Sequence, residues 1–151
     1  MNGTKKDDDP ARSYFPEGTV HQDVYYKLGY LHFVWDKAKS DKCLRERGFD
    51  FRTAALVFND DDCLYDRDEG HSDGEERMTA LGQPTAEPMK AGIGSIPTTF
   101  IGSVNSVLYV VYTERATDAG EDVYRIISAR RATPLEKRVY EESKYQGFDQ
   151  Y

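Results

Sequence analysis

Leu31, Phe33 and Trp35 alternate with His32 and Val34, the two-residue period of a strand. The period then lengthens. Ala38, Cys43 and Leu44 fall on one side of a helix that Asp36 can cap and Gly48 can stop. Asp50 predicts a second, short helix with Phe51, Ala54, Ala55 and Phe58 on its inner side, broken by Asn59-Asp-Asp-Asp62. Strands are expected around Cys63 to Asp66 and around Glu75 to Leu81. Val107 to Thr113 is β-branched and aromatic, as a buried strand is, and Val123 to Ser128 reads as its partner. Thr117-Asp-Ala-Gly120 supplies the turn between them, so the pair is a hairpin. Thr133, Pro134 and Glu136 form a capping box with proline at the first helical position, opening a final helix.

The predicted order is β-α-α-β-β-β-β-α. Strands joined by short links favour an antiparallel sheet with helices packed on one face, an α+β fold. Residues 1–30 read as a partly disordered N-terminal extension. They mix Lys-Lys and Asp-Asp-Asp runs with Pro and Gly, and Tyr25, Tyr26 and Tyr30 could add one short element. Residues 31–151 read as one domain. Gly82 to Ser106 is rich in Gly, Pro and Thr and reads as an inserted loop at about 83–106, with room for a short strand near Thr98 to Ile101.

At 151 residues the chain is long enough to bury a core without staples. Its longest apolar run, Val107 to Tyr112, is too short to span a bilayer. The polar N-terminus lacks the apolar region of a secretion signal. Cys43 and Cys63 have no metal-like spacing and read as reduced thiols in a cytoplasmic protein. Without a Cys/His cluster, no metal site and no cofactor are expected. The net charge of -7 argues against a nucleic-acid partner only until its distribution is examined. Residues 59–76 hold nine acidic side chains and one arginine, a balance of -8, so the rest of the chain sums to +1. The acidity is one patch, and basic residues gather outside it. RNA is therefore not excluded. The acidic segment itself could be a solvated loop, a barrier to RNA on one side, or a dock for a basic arm of a partner.

Seven motifs occur in one order: Phe33-Val-Trp-Asp-Lys-Ala-Lys39, Arg47-Gly-Phe-Asp-Phe51, Ala54-Ala-Leu-Val-Phe58, His71-Ser-Asp-Gly-Glu-Glu-Arg77, Ala80-Leu-Gly82, Val110-Val-Tyr-Thr-Glu-Arg115 and Arg125-Ile-Ile-Ser-Ala-Arg-Arg-Ala132. Together they resemble the BrnT toxin family of bacterial type II toxin–antitoxin systems, over roughly residues 33–142 without the insert. The most specific pieces are the His-Ser-x-Gly-Glu-Glu-Arg and Arg-Ile-Ile-Ser-Ala-Arg-Arg-Ala runs. The resemblance implies a RelE-like fold and a ribonuclease that inhibits translation. It also implies a BrnA-like ribbon-helix-helix antitoxin, through which alone the complex would touch DNA. The N-terminal extension, the insert and the acidic patch depart from the family's compact form.

A ribonuclease that works without metal needs a base for the ribose 2′-hydroxyl, a donor to the leaving 5′-oxygen, and cations over the phosphate. His71 is the titrating candidate; the alternative is a solvated loop histidine among acids. Glu75 could act as base or orient His71 or an arginine, with Glu76 on the other side and Arg77 on the Glu75 side. Arg115, Arg125 and Arg130, at strand ends around the hairpin, suit a phosphate clamp because the guanidinium fork binds two oxygens. Ion pairing with nearby acids is the structural alternative for each. Strict alternation would set Arg125 and Ser128 on opposite faces. The catalytic candidates are thus His71, Glu75, Arg115, Arg125 and Arg130. Lys42, Arg45, Arg47, Arg77 and Arg131 are candidates for RNA binding. Lys42, Arg45 and Arg47 could equally be a solvated helix face, and Trp35 fits a core position.

Overall fold

The computed structural model describes residues 15–68, 75–86 and 106–149. Its strands are β1 (Asp23–Leu28), β2 (Leu31–Asp36), β3 (Leu64–Arg67), β4 (Arg77–Gly82), β5 (Leu108–Ala116) and β6 (Asp122–Arg131). Helices α1 (Lys37–Arg47) and α2 (Phe51–Ala55) follow β2, a 3-10 turn covers Leu56–Asn59, and α3 (Pro134–Asp149) ends the described chain. The six strands form one sheet in the order β1-β2-β6-β5-β4-β3. The expected Thr98 to Ile101 strand lies outside the described residues, as does most of the insert.

The α+β class stands, but three features of the expected architecture are corrected. The sheet is mixed, because β2 runs parallel to β6 while every other neighbouring pair is antiparallel. This pairing joins residues about 90 positions apart, His32 with Val123 and Val34 with Arg125. No local signal announces such a contact. The sheet also starts earlier than Leu31. β1 pairs with β2 along its whole length, and Val24, Tyr26 and Leu28 pack on the core. Its tyrosines alternate between a half-buried Tyr26 and an exposed Tyr25, as one covered face requires.

Third, helices cover both faces. Ala80 of β4 and Leu108, Val110 and Tyr112 of β5 join Phe33, Trp35, Phe51, Ala54, Val57 and Ile126 in the main core under α1 and α2. Their alternates, Leu81 and Tyr109, join Val107, Leu64 and Tyr140 of α3 in a second cluster. The two clusters lie on opposite sides of the sheet because successive strand residues point opposite ways. Phe58 is the hub of the main core. Its ring lies 5.0 Å from those of Phe33 and Tyr112 and 5.7 Å from that of Tyr124.

Most of the predicted punctuation is present. Asp50 accepts the Thr53 amide hydrogen bond and caps α2. Gly48 closes α1 with a left-handed φ of 85°, a conformation that costs a residue with a Cβ more. Thr133 and Glu136 exchange hydrogen bonds at the start of α3 (2.9 and 3.2 Å). Asp36 occupies the N-cap position of α1, but its side chain makes no cap bond. Its buried carboxylate turns instead to His21 Nδ1 (2.5 Å) and the Gln22 amide (3.2 Å), which fasten the entry to β1. Leu44, expected inside, is about half exposed, and Ser40 is buried in its stead, accepting the Phe51 amide.

One extra residue in β6 sets which of its side chains share a face. Val111 pairs with Ser128 and Tyr112 with Ile126, so Ile127 is bulged out of the ladder. Beyond the bulge the alternation of β6 is inverted.

Midway along α3 a polar anchor and an aromatic ring act together. The hydroxyl of Tyr140, 2% exposed, donates to Asp60 Oδ2 at 2.5 Å. That same carboxylate accepts the Gln83 and Asp62 amides. Replacing Tyr140 with Phe should cost about 1–3 kcal/mol, since a half-buried charged acceptor loses one partner. Replacing it with Ala should cost about 3–5 kcal/mol, because the ring goes too. Urea denaturation of both variants separates the two contributions, and unchanged stability of Tyr140→Phe would show that the hydroxyl contributes nothing.

Candidate functional site

The bulge places Arg125, Ser128 and Arg130 on one face, against the strict alternation expected for Arg125 and Ser128. Their partners on β5 are Thr113, Val111 and Tyr109, three alternate residues of a regular strand. Across the next ladder Thr113 pairs with Arg77 and Val111 with Thr79. Arg77, Thr113 and Arg125 therefore stand in one row across β4, β5 and β6. Arg115 lies on the same face, two residues beyond Thr113. This is the face that α3 covers at its Leu81–Tyr109 end only.

Two carboxylates hold this arginine cluster. Glu75 accepts from Arg115 Nε at 2.8 Å and Nη2 at 3.0 Å, a two-pronged pair. Asp23 of β1 accepts from Arg125 Nη2 at 3.0 Å. The Arg115 hydrogen bonds, and then the charges of Arg115, Arg77 and Arg125, hold the Glu75 carboxyl below the ordinary carboxylate value. Arg115 is correspondingly raised by its bond to Glu75, with Asp23 adding to the effect. Each group thus senses the others across the face. Asp68, whose amide donates to the Arg77 carbonyl, stands next in the row, so three guanidiniums meet three carboxylates and the local charge nearly cancels. The pairs are open to solvent, so each contributes little to stability.

A carboxylate held ionised in this way is a poor proton acceptor. Among the two roles open to Glu75, orienting Arg115 fits the geometry better than acting as base. His71 lies outside the described residues.

Arg130 shares the face but stands two ladder rows from Arg125. It forks onto Glu136 at 2.8 and 3.0 Å and lies over the Tyr109 ring at 4.1 Å. It joins the sheet to the capping box of α3. Arg47 and Arg131 are on the opposite side, with α1 and α2. Arg47 donates to the Ala129 carbonyl at 2.9 Å, and Arg131 donates to the Arg47 carbonyl and rests over Phe49. Together they tie the end of α1 to β6. Lys42 pairs with Glu46 one turn along α1 at 2.8 Å, and Arg45 is exposed on the same helix. The arrangement brings together Glu75, Arg77, Arg115 and Arg125 from the candidates and leaves Lys42, Arg45, Arg47, Arg130 and Arg131 apart from them.

Two residues of the cluster escaped the sequence reading. Asp23 sits in what read as the N-terminal extension. Thr113 read as one more β-branched strand residue, and only its register shows what flanks it. Trp35 is a core residue, 5% exposed. Burial pushes the thiols of both free cysteines, Cys43 and Cys63, up to about 11, which keeps them protonated and unreactive at neutral pH. Asp60, in the acidic segment, is committed to Tyr140 and Gln83. Its neighbours Asp61 and Asp62 are exposed.

The Glu136 carboxyl is lowered from its ordinary value of 4.5 by the Arg130 hydrogen bond first and by the Thr133 amide after it. A lowered folded value means that the pair stabilises the fold above pH 4.5. The contribution fades as the pH falls below 4.5 toward the lowered value. Glu136→Gln should therefore lower the melting temperature at pH 7 and flatten the acid limb of stability below pH 4.5. Thermal melts from pH 3 to 7 would read both, and an unchanged acid limb would remove Glu136 from the acid response.

A comparison with curated proteins gave no match. The model of one protein family matches residues 35–90, a stretch that runs from β2 through β4 and holds Glu75 and Arg77, while Arg115 and Arg125 lie beyond it. That family is described as the ribonuclease toxin, BrnT, of type II toxin–antitoxin systems, and residues 35–90 are similar to it.

Proposed function

We propose that the chain is the toxin of a type II toxin–antitoxin pair, a ribonuclease that cleaves RNA without metal and inhibits translation in the cytoplasm. A BrnA-like ribbon-helix-helix antitoxin neutralises it by covering the arginine face, and DNA is met only through that antitoxin. The family match supports the toxin and its ribonuclease class. The observation that carries the site is that Arg77, Arg115 and Arg125, far apart in sequence, share one face of the sheet.

In this reading a phosphodiester lies over the arginines. The ribose 2′-hydroxyl attacks the neighbouring phosphorus and the 5′-oxygen leaves. Negative charge grows on the phosphoryl oxygens, where fixed guanidiniums lower the barrier most. Proton transfer falls to His71, four residues before Glu75, since Glu75 is held ionised by Arg115. Arg130 supports the fold of α3 beside the site. Lys42 and Arg45 are left as secondary contacts for the RNA backbone.

The engaged state of Arg115 and Arg125 favours one other reading, a noncatalytic module that partners a DNA-binding protein in transcriptional regulation. Incubating the purified chain with RNA in EDTA separates the two. Cleavage is expected, with Arg115→Ala and Arg125→Ala each slowing it about 10²–10³-fold and His71→Ala about 10²–10⁴-fold. Arg130→Ala should act mainly through stability. Folded wild-type protein that leaves RNA intact, yet binds a ribbon-helix-helix partner, would favour the noncatalytic module.

A further inference from the structure

Thr113 is fully buried, and its Oγ1 is the one buried side-chain polar atom among the described residues without a hydrogen-bond partner. A hydroxyl left unpaired in a dry place is costly, and Val would fill the same space at no such cost. It stands between Arg77 and Arg125 in the row across three strands. Beside it, Glu75 presents two carboxylate oxygens to Arg115 and lies in the field of all three arginines. A carboxylate held by a guanidinium fork has the shape and charge of two phosphate oxygens.

We propose that Thr113, Arg77 and Arg125 form the subsite for one phosphate of the RNA backbone, and that Glu75 is its internal competitor, holding Arg115 until a phosphate displaces it. This rests on the reading of the arginine face as the RNA-facing surface. Entry of the phosphate draws the Arg77 and Arg125 side chains toward its oxygens and uncovers the Thr113 hydroxyl, which donates to one of them. Glu75 swings to solvent, and Arg115 changes partner from carboxylate to phosphate. No covalent bond is made or broken in this exchange.

The probe is a short 2′-O-methyl oligoribonucleotide, which keeps the phosphates and lacks the attacking hydroxyl. Its binding to the full chain is measured at fixed salt, because phosphate contacts are salt-dependent. Thr113→Val should weaken binding about tenfold while raising the melting temperature or leaving it unchanged. Thr113→Ser keeps the hydroxyl and should bind as the wild type does. Glu75→Gln should tighten binding about tenfold, as expected when a charged competitor is lost. Glu114→Gln removes one charge from the other face of β5 and should do much less. Unchanged binding by Thr113→Val, or equal gains from Glu75→Gln and Glu114→Gln, would overturn the subsite. RNA cleavage by the wild type accompanied by that result would leave the ribonuclease standing without the subsite. The expected binding pattern without cleavage of ordinary RNA would do the reverse.

Discussion

A single extra residue in a strand decides which side chains can act together in this protein. Strand side chains alternate, so an insertion of one residue exchanges the faces of everything beyond it. With Ile127 bulged, Ile126 and Ala129, three positions apart, both enter the main core, and Arg125, Ser128 and Arg130 all reach the other side. A regular β6 could satisfy only one half of this arrangement. Keeping Ile126 inside would expose Ala129 and drive Arg130 toward the helices. The core pins the strand on both sides of the bulge, which is why the deviation is held rather than averaged away.

The rest of the arginine face depends on that register. β4 and β5 pair without interruption from Arg77 opposite Thr113 to Gly82 opposite Leu108, so the row through Arg77, Thr113 and Arg125 comes from regular pairing on one side and the bulge on the other. The parallel contact between β2 and β6 then brings β1 to the edge of the same face, where Asp23 meets Arg125. The N-terminal strand thus completes both the sheet and the charge balance of the site.

What could be read from the sequence divides along the same line. Signals that act within a few residues were legible: the Thr133–Glu136 box, the Asp50 cap, the Gly48 stop and the hairpin turn before Gly120 all lie where their chemistry demands. Pairings between distant segments were not. β2 beside β6 costs a long loop closure and leaves no local trace. The bulge at Ile127 is invisible in a run of Arg-Ile-Ile-Ser-Ala-Arg-Arg that alternates poorly under either register. Asp36 shows the limit from the other side, since it sits at the cap position and spends its carboxylate on His21 and Gln22. The chemistry-bearing residue types were visible, and four of them do meet. Their separation from Arg47 and Arg131 required knowing which face each one occupies, and from Arg130 which end of the shared face it stands at.

The carboxylates that hold Arg115 and Arg125 look at first like an argument against a phosphate on this face. Their exposure reverses that inference. Glu75 and Arg115 are each about half exposed, and Asp23 is 44% exposed. Pairs of that kind are worth about 0–1 kcal/mol, so exchanging them is cheap. Two guanidiniums that converge on one phosphate form several charge-assisted bonds at once, each stronger than a neutral one. Screening at physiological salt acts over about 8 Å, so the arriving phosphate responds to the local arginines far more than to the chain's overall charge of -7. An arginine face kept neutral enough to coexist with the main body of an acidic protein, yet released at small cost, is what a site for a polyanion requires.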